Sequence, residues 1–147
     1  MLTTGFFSCE LSAQHGHGVL SPSVTFPQDD AVLLEAPELL AMSFRLDVRL
    51  LKLALYTDDG DWIDIDFRYD SSRSDNSYVL PLPALPEAVY YVAQWSVVDE
   101  RQRFLSGEFR FTYGPGAIPP SETIEAGYRD VAEENLPSTG SYVRSRD

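Results

Sequence analysis

The side chains best suited to binding a metal lie near the start of the chain, where its only two histidines are separated by one glycine. Imidazole nitrogens in a tetragonal array suit Cu(II). If the mature chain starts at His15, its free amine and imidazole form a chelate, and His17 occupies the third position. If it starts at Ala13, His15 is third, and the amine, two backbone amides and the imidazole form a square-planar Cu(II) or Ni(II) chelate. A start at Gln14 forms neither chelate, and a retained Met1 leaves a loose pair, as in an ordinary solvated linker.

Other reactive side chains form no recognisable catalytic set. Asp64 and Asp66 lie on one face of an expected strand, where paired carboxylates can bind Ca²⁺ or move protons, although a solvated strand face is the simpler interpretation. Cys9 is the only cysteine, so an internal disulfide is excluded. Neither a phosphate loop nor a dinucleotide fingerprint nor zinc-ligand spacing is present. The sequence therefore predicts a protein that is not an enzyme.

Charge restricts the partners that the chain can bind. Its 147 residues include 23 acidic and 11 basic side chains, for a formal net charge of -12. A nucleic acid backbone and an anionic membrane surface would both be repelled, whereas metal cations are compatible with this balance. No stretch of about 18 apolar residues occurs, so we expect no membrane span. Residues 1–14 lack the basic start of a complete signal peptide, and Glu10 interrupts their apolar run. We therefore interpret them as a processed or truncated signal.

The middle of the chain has the patterning of β-strands. Period-two alternation places one face of each strand in a core. This alternation occurs in five runs: Leu40–Leu46, Leu51–Leu55, Ile63–Phe67, Tyr91–Val97 and Phe109–Tyr113. Prolines make Val79–Pro83 an edge strand or a connection, because proline cannot donate a ladder hydrogen bond. Several short strands at this spacing predict an all-β sandwich over residues 15–114.

Residues 115–147 form an acidic tail that we expect to be disordered or loosely docked. A short helix is the alternative, because Pro120 is suited to a first helical position. Ile124, Tyr128 and Val131 would then fall on one stripe of that helix.

Three blocks of sequence carry recognisable motifs: Phe26–Ala31 with Ala36–Leu39, Met42–Val48 with Leu51–Gly60, and Tyr91–Val98 with Gly107–Phe111. Together they resemble the CopC family of periplasmic copper-binding proteins. The first block resembles the family's Ser-x-Pro…Asp…Ala-Pro opening. The second resembles its Leu-x-Phe…Val strand, followed by another strand and a glycine turn. The third resembles its Tyr-x-Val-x-Trp-x-Val-Val…Gly-x-Phe-x-Phe ending. The resemblance covers about residues 15–114 and implies an immunoglobulin-like Greek-key β-sandwich of about seven strands.

The resemblance also implies a Cu(II) site made by an N-terminal histidine together with an aspartate and a histidine in the loop between the last two strands. Counting from Trp95 to Gly107, the family's loop ligands fall on Arg101 and Arg103. Arginine stays protonated and offers a metal no lone pair. The remaining candidate ligands are His15 and His17, with carboxylates from Asp99 and Glu100.

We therefore expect a periplasmic, non-enzymatic copper-binding protein that passes Cu(II) to a protein partner or sequesters it. The alternative is a metal-free sandwich that has lost the copper site and kept a protein-binding role. In the alternative, the loop arginines would pair with neighbouring acidic residues or hold a partner's carboxylate.

Overall fold

The computed structural model describes residues 20–135, which form seven strands and one helix. Along the chain the elements are β1 (Val24–Phe26), β2 (Ala31–Leu33), β3 (Leu39–Thr57), β4 (Trp62–Ile63), β5 (Asp75–Pro81), β6 (Tyr91–Asp99), β7 (Phe104–Tyr113) and α1 (Pro120–Glu134). The predicted all-β architecture with about seven strands is confirmed.

The long strand β3 joins the two layers of the sandwich. Its first part pairs with β1 on one side and β5 on the other. Its second part, from Val48 onward, pairs with β6 and, near its end, with β4. The β6 strand pairs in turn with β7, and β2 adds to β7 in parallel. A register irregularity between Ser43 and Val48 marks the point where β3 passes from one layer to the other.

The core lies between these layers and follows the predicted alternation most closely in β6. Tyr91, Ala93, Trp95 and Val97 are all buried there. Tyr91 stacks on Phe111 of β7 with ring centroids 5.3 Å apart. Burial of large aromatic rings of this kind supplies much of the stabilisation of a small sandwich.

In β3 the predicted alternation is partly wrong. A register shift between Leu50 and Lys52 inserts one residue into the strand, so that Leu50 is buried and Leu51 only half-buried. The sequence pattern placed Leu51 in the core, because alternation alone carries no signal for a β-bulge. Leu46, also on the expected core face, is 39% exposed at the crossing between layers.

Residues 120–134 of the expected tail form α1 rather than a disordered segment, which is the alternative that Pro120 suggested. Pro120 is buried, and Asp30 fixes the first turn by accepting hydrogen bonds from the Ser121 backbone N–H and hydroxyl at 2.8 and 2.7 Å. Beyond that turn the helix is mostly exposed, with Tyr128 74% and Val131 57% accessible. Within residues 20–135, the structure contains no helix of the length and apolarity needed to cross a membrane. Residues 1–14 and the end of the tail lie outside the described part of the chain.

Candidate metal centre

The loop between β6 and β7 is a tight turn that closes the sandwich at one end. The last ladder pair joins Val98 to Phe104. Beyond it, the Asp99 backbone N–H donates to the Arg103 carbonyl at 3.0 Å, and the Gln102 N–H donates to the Asp99 carbonyl at 3.1 Å. Gln102 has a φ of 60°, which completes the turn in the left-handed region. The loop is therefore held by its own backbone before any side chain contributes.

The Asp99 carboxylate lies inside this turn with its side chain 4% exposed. Its Oδ1 accepts hydrogen bonds from the backbone N–H groups of Arg101 and Arg103 at 3.0 and 2.9 Å. Its Oδ2 accepts one from Arg103 Nε at 2.6 Å and lies 2.6 Å from Arg103 Nη2. Both oxygens are thus engaged with donors of the same loop.

Two opposing effects act on the pKa of Asp99. Burial disfavours the charged carboxylate and raises the pKa, but the Arg103 backbone N–H and guanidinium together outweigh it. The net effect lowers the pKa of Asp99 below its ordinary value of 3.8, so the carboxylate is ionised at neutral pH.

The two loop arginines behave differently. The Arg103 side chain is 48% exposed and neutralises Asp99, as the sequence suggested for an arginine beside acidic neighbours. Arg101 is exposed and contributes its backbone N–H to the turn. Glu100 is exposed as well. Together with Leu46 and Asp47 of β3, the loop lines an open cavity of about 500 Å³.

The chemistry of this cavity is that of a partly neutralised acidic site. The Glu100 and Asp47 carboxylates face the same opening, whereas the Asp99 carboxylate is held by Arg103. Between Leu20 and Asn135 the structure contains no cluster of three or more His, Cys, Asp or Glu side chains able to hold a metal. The two predicted histidine ligands, His15 and His17, lie outside the described residues, so their part of the site stays a prediction.

The carboxylates of Asp64 and Asp66 lie after the end of β4 rather than on a strand face. Asp64 Oδ1 accepts a hydrogen bond from the Asp66 backbone N–H at 2.9 Å, and Asp66 pairs with Arg68 at 3.3 Å. Asp66 has a φ of 54°. These contacts form an exposed turn, the local role that short acidic side chains commonly have.

Sequence reasoning missed a second cavity, of about 350 Å³, between β3, β5 and the segment that follows β4. Leu50, Leu53 and Tyr78 line it, and the Arg73 guanidinium lies 4.6 Å from the centre of the Tyr78 ring. These residues are far apart in sequence, and only the polar composition of the segment around Arg73 hinted at a loop. Arg73 is paired with Asp75 at 3.4 Å, and the Asp70 carboxylate, which also lines the cavity, accepts hydrogen bonds from the Ser72 N–H and hydroxyl.

Comparison with known proteins concerns the sandwich as a whole. The family model described as the CopC domain matches residues 23–114, which include the whole of β1 to β7. No curated protein matches the chain. The crystal structure of CopC from Methylosinus trichosporium OB3b is similar with a TM-score of 0.54 and 16% identity, covering 65% of this chain and 93% of that one. PcoC, a copper resistance protein from Escherichia coli, gives a TM-score of 0.47 and 19% identity, covering 62% and 96% respectively.

Proposed function

The chain belongs to the CopC domain family, and on that premise we propose that it is a non-enzymatic protein that binds Cu(II) through His15 and His17. The observation that supports it is the family match over the entire sandwich. Arg101 and Arg103 stand in the β6–β7 loop where the resemblance implies the family's aspartate and histidine ligands. Copper binding then depends on the two histidines that precede the sandwich. Their imidazoles are the only ones in the chain.

The direction of β1 supports a role for the β6–β7 loop in copper binding together with these histidines. β1 runs antiparallel to β3, and the Ser23 N–H donates to the Ser43 carbonyl at 2.7 Å. The chain before β1 therefore runs in the direction of Leu46 and Asp47, which line the loop cavity, although Ser21 and Pro22 themselves line a separate cavity with Trp95 and Glu108. His17 precedes Leu20 by three residues, and an extended chain spans at most about 3.5 Å per residue, so its reach from Leu20 is roughly 10 Å.

Glu100 is the loop carboxylate that we propose as an additional ligand, because its side chain is exposed and no contact within the described residues holds it. Asp99 would have to release the Arg103 guanidinium before it could bind copper. A site with imidazole nitrogens, an amine and one carboxylate oxygen suits the tetragonal preference of Cu(II). We further propose that the protein acts in the periplasm and delivers copper to a protein partner.

The decisive test is a Cu(II) competition titration on the full chain and on a chain that begins at His15. We expect tight one-to-one binding to the shorter chain. Replacing both histidines with alanine should abolish it, whereas His15→Ala alone leaves the free amine and His17 as a third-position chelate and should only change the binding mode. Glu100→Gln keeps the size of the side chain and removes its charge, so it should weaken binding moderately. Binding that is weak, or that survives replacement of both His15 and His17, would overturn the proposal.

The ion pair between Arg103 and Asp99 favours a second candidate, a metal-free sandwich that binds a protein partner. A loop whose carboxylate is already neutralised has no electrostatic need for a metal. The two candidates differ in thermal stability, because a ligand that binds only the native state raises the melting temperature. The metal-free function is favoured if the competition titration finds no tight Cu(II) binding and Cu(II) also leaves the melting temperature unchanged; the titration is needed because a chelate made by His15 and His17 alone would form in the unfolded chain as well.

A further inference from the structure

The second cavity, which lies between β3, β5 and the segment after β4, has an interior made of core side chains. Leu50 and Leu53 are buried in its wall, and Phe67 and Leu80 line it while they pack against the core. Its volume of about 350 Å³ is at the lower end of the range for small-molecule sites. A cavity of about 150 Å³ with walls of this kind holds benzene, so the second cavity has room for an apolar side chain with a small polar head.

Four charged side chains stand at the mouth of the second cavity, and two of them are paired with each other. Arg68 and Asp66 form an exposed ion pair at 3.3 Å. The other two, Asp70 and Arg73, are held by one tight turn, because the Arg73 N–H donates to the Asp70 carbonyl at 3.2 Å. The mouth therefore presents a carboxylate and a guanidinium side by side.

Each of these two groups has atoms that no hydrogen bond among the described residues uses. Asp70 accepts the Ser72 N–H and hydroxyl through Oδ1 alone, at 2.9 and 2.6 Å, which leaves Oδ2. The Ser72 hydroxyl and N–H lower the pKa of Asp70 below its ordinary value of 3.8, so the carboxylate is ionised at neutral pH. Arg73 uses Nη2 for contacts of 3.4 Å with Asp75 Oδ2 and the Ser77 carbonyl, which leaves Nε and Nη1.

The Tyr78 ring fixes the position of the Arg73 guanidinium. The guanidinium carbon lies 4.6 Å from the ring centre, and the Tyr78 hydroxyl is itself held by donating to the Val48 carbonyl at 2.6 Å. A guanidinium stacked on an aromatic ring keeps its in-plane N–H groups available, which suits a carboxylate ligand. The ion pair with Asp75 is half exposed and therefore weak, so a ligand carboxylate can compete for the guanidinium.

We propose that the second cavity binds a free amino acid with a large apolar side chain. The side chain enters the cavity, the ammonium group binds Asp70 Oδ2, and the carboxylate binds the remaining edge of the Arg73 guanidinium. Such a ligand has no net charge, whereas an anion would be repelled by a chain with a formal net charge of -12. A simple amine would bring a second cation to Arg73, and a simple acid would bring a second anion to Asp70. A zwitterion is complementary to both groups.

Isothermal titration calorimetry of the full chain with L-phenylalanine and L-leucine tests the proposal, with EDTA present because amino acids chelate Cu(II). We expect saturable one-to-one binding of both. Phenethylamine and hydrocinnamate keep the ring but lack one of the two charges, so each should bind roughly tenfold or more weakly than L-phenylalanine. Glycine has both charges and no side chain, and it should bind weakly as well. No saturable binding of either apolar amino acid, or equal binding of the single-charge analogues, would overturn the proposal.

N-acetyl-L-phenylalaninamide distinguishes a free amino acid from the side chain of a partner protein. It has the same aromatic side chain, but its amide groups carry no charge, as in a residue within a polypeptide. We expect it to bind far more weakly than L-phenylalanine. If it binds as tightly, the second cavity accepts an apolar side chain of another protein, and the proposal is wrong.

Conservative variants test the two charged residues. Arg73→Met keeps an unbranched stem and removes the guanidinium, and Asp70→Asn keeps the Oδ1 acceptor of the turn and removes the charge. Each should weaken the binding of L-phenylalanine by roughly tenfold. Asp70→Asn should not weaken the binding of hydrocinnamate, which has no ammonium group. Arg129→Met and Asp130→Asn on α1 are the matched controls outside the cavity, and they should leave binding unchanged. Undiminished affinity in both cavity variants would refute the assignment.

Discussion

Gly107 is the position where a single added methyl group should disturb the core most directly. It is the cross-strand partner of Trp95, and a Cβ at this position would lie 2.6 Å from Trp95 Cζ2 and 3.0 Å from Cε2. Ordinary carbon–carbon contacts lie near 3.5–4.0 Å, so Gly107→Ala requires about 1 Å of movement. Trp95 is 6% exposed, and its ring meets that of Phe44 edge to face with the ring centroids 6.2 Å apart. The indole therefore has little room to move.

We expect Gly107→Ala to lower the free energy of unfolding by about 2 kcal/mol, in the middle of the range for overpacked cores. For a chain of this length that corresponds to a fall in melting temperature of roughly 6 °C. Urea unfolding followed by tryptophan fluorescence measures the effect. Gly127→Ala is the matched control, because nothing lies within 4 Å of a Cβ at that helical position.

A double-mutant cycle separates the steric effect from any change in strand propensity. Trp95→Phe removes the ring atoms that a Gly107 Cβ would meet, so Gly107→Ala should cost less than half as much in that background. If Gly107→Ala leaves the unfolding midpoint within experimental error of the wild type, or costs the same with phenylalanine at position 95, the steric argument is refuted.

Three further predictions concern the loop, the core and the helix. Arg103→Met should destabilise the fold at pH 7, and its difference in stability from wild type should shrink as the pH falls below 3.8. The pKa of Asp99 is lowered in the folded protein, so the ionised carboxylate stabilises the fold above pH 3.8, and protonation at lower pH removes its pairing with Arg103. Equal differences at pH 7 and pH 3 in denaturant titrations would contradict this. Tyr78→Phe should cost about 1–2 kcal/mol in the same titrations, because the hydroxyl donates to the buried Val48 carbonyl at 2.6 Å, and a neutral substitution would show that water replaces it. Asp30→Gly removes the carboxylate and tolerates the φ of 66° at this position, so it should speed hydrogen exchange in the first turn of α1 with little change in the melting of the sandwich; unchanged exchange would show that the buried Pro120 is sufficient.

The strands could be predicted where alternation alone decides burial. β6 and β7 pack one face on the core and have no irregularity in their shared register, so Tyr91, Trp95 and Phe111 were found from their spacing. β3 was harder, because its bulge after Leu50 shifts the inward face by one residue without a marker in composition. Ile65 is buried although the strand β4 ends at Ile63, which shows that a period-two pattern can reflect burial without ladder pairing.

The position of the candidate site could be predicted, but its internal contacts could not. Counting from Trp95 to Gly107 located the loop correctly, since the two are direct cross-strand partners. The sequence offered both Asp99 and Glu100 as partners for the arginines. Burial decides between them: Asp99 continues the inward face of β6, whereas Glu100 begins the turn and is exposed. The left-handed Gln102 then returns Arg103 to Asp99.

The guanidinium of Arg103 does for this loop what a bound cation would otherwise do. A buried carboxylate needs a positive partner, because desolvation of an unpaired charge is costly. Arg103 supplies that charge from within the turn, so the loop requires no metal to be stable. Two consequences follow for copper. Any rise in melting temperature on adding Cu(II) is then expected to come from ligands other than Asp99, namely the histidine segment together with the exposed Glu100. Conversely, Arg103→Met frees the Asp99 carboxylate beside Glu100, and should therefore strengthen Cu(II) binding if the histidines bring the ion to this end of the sandwich. An unchanged copper affinity in that variant would place the ion away from the loop.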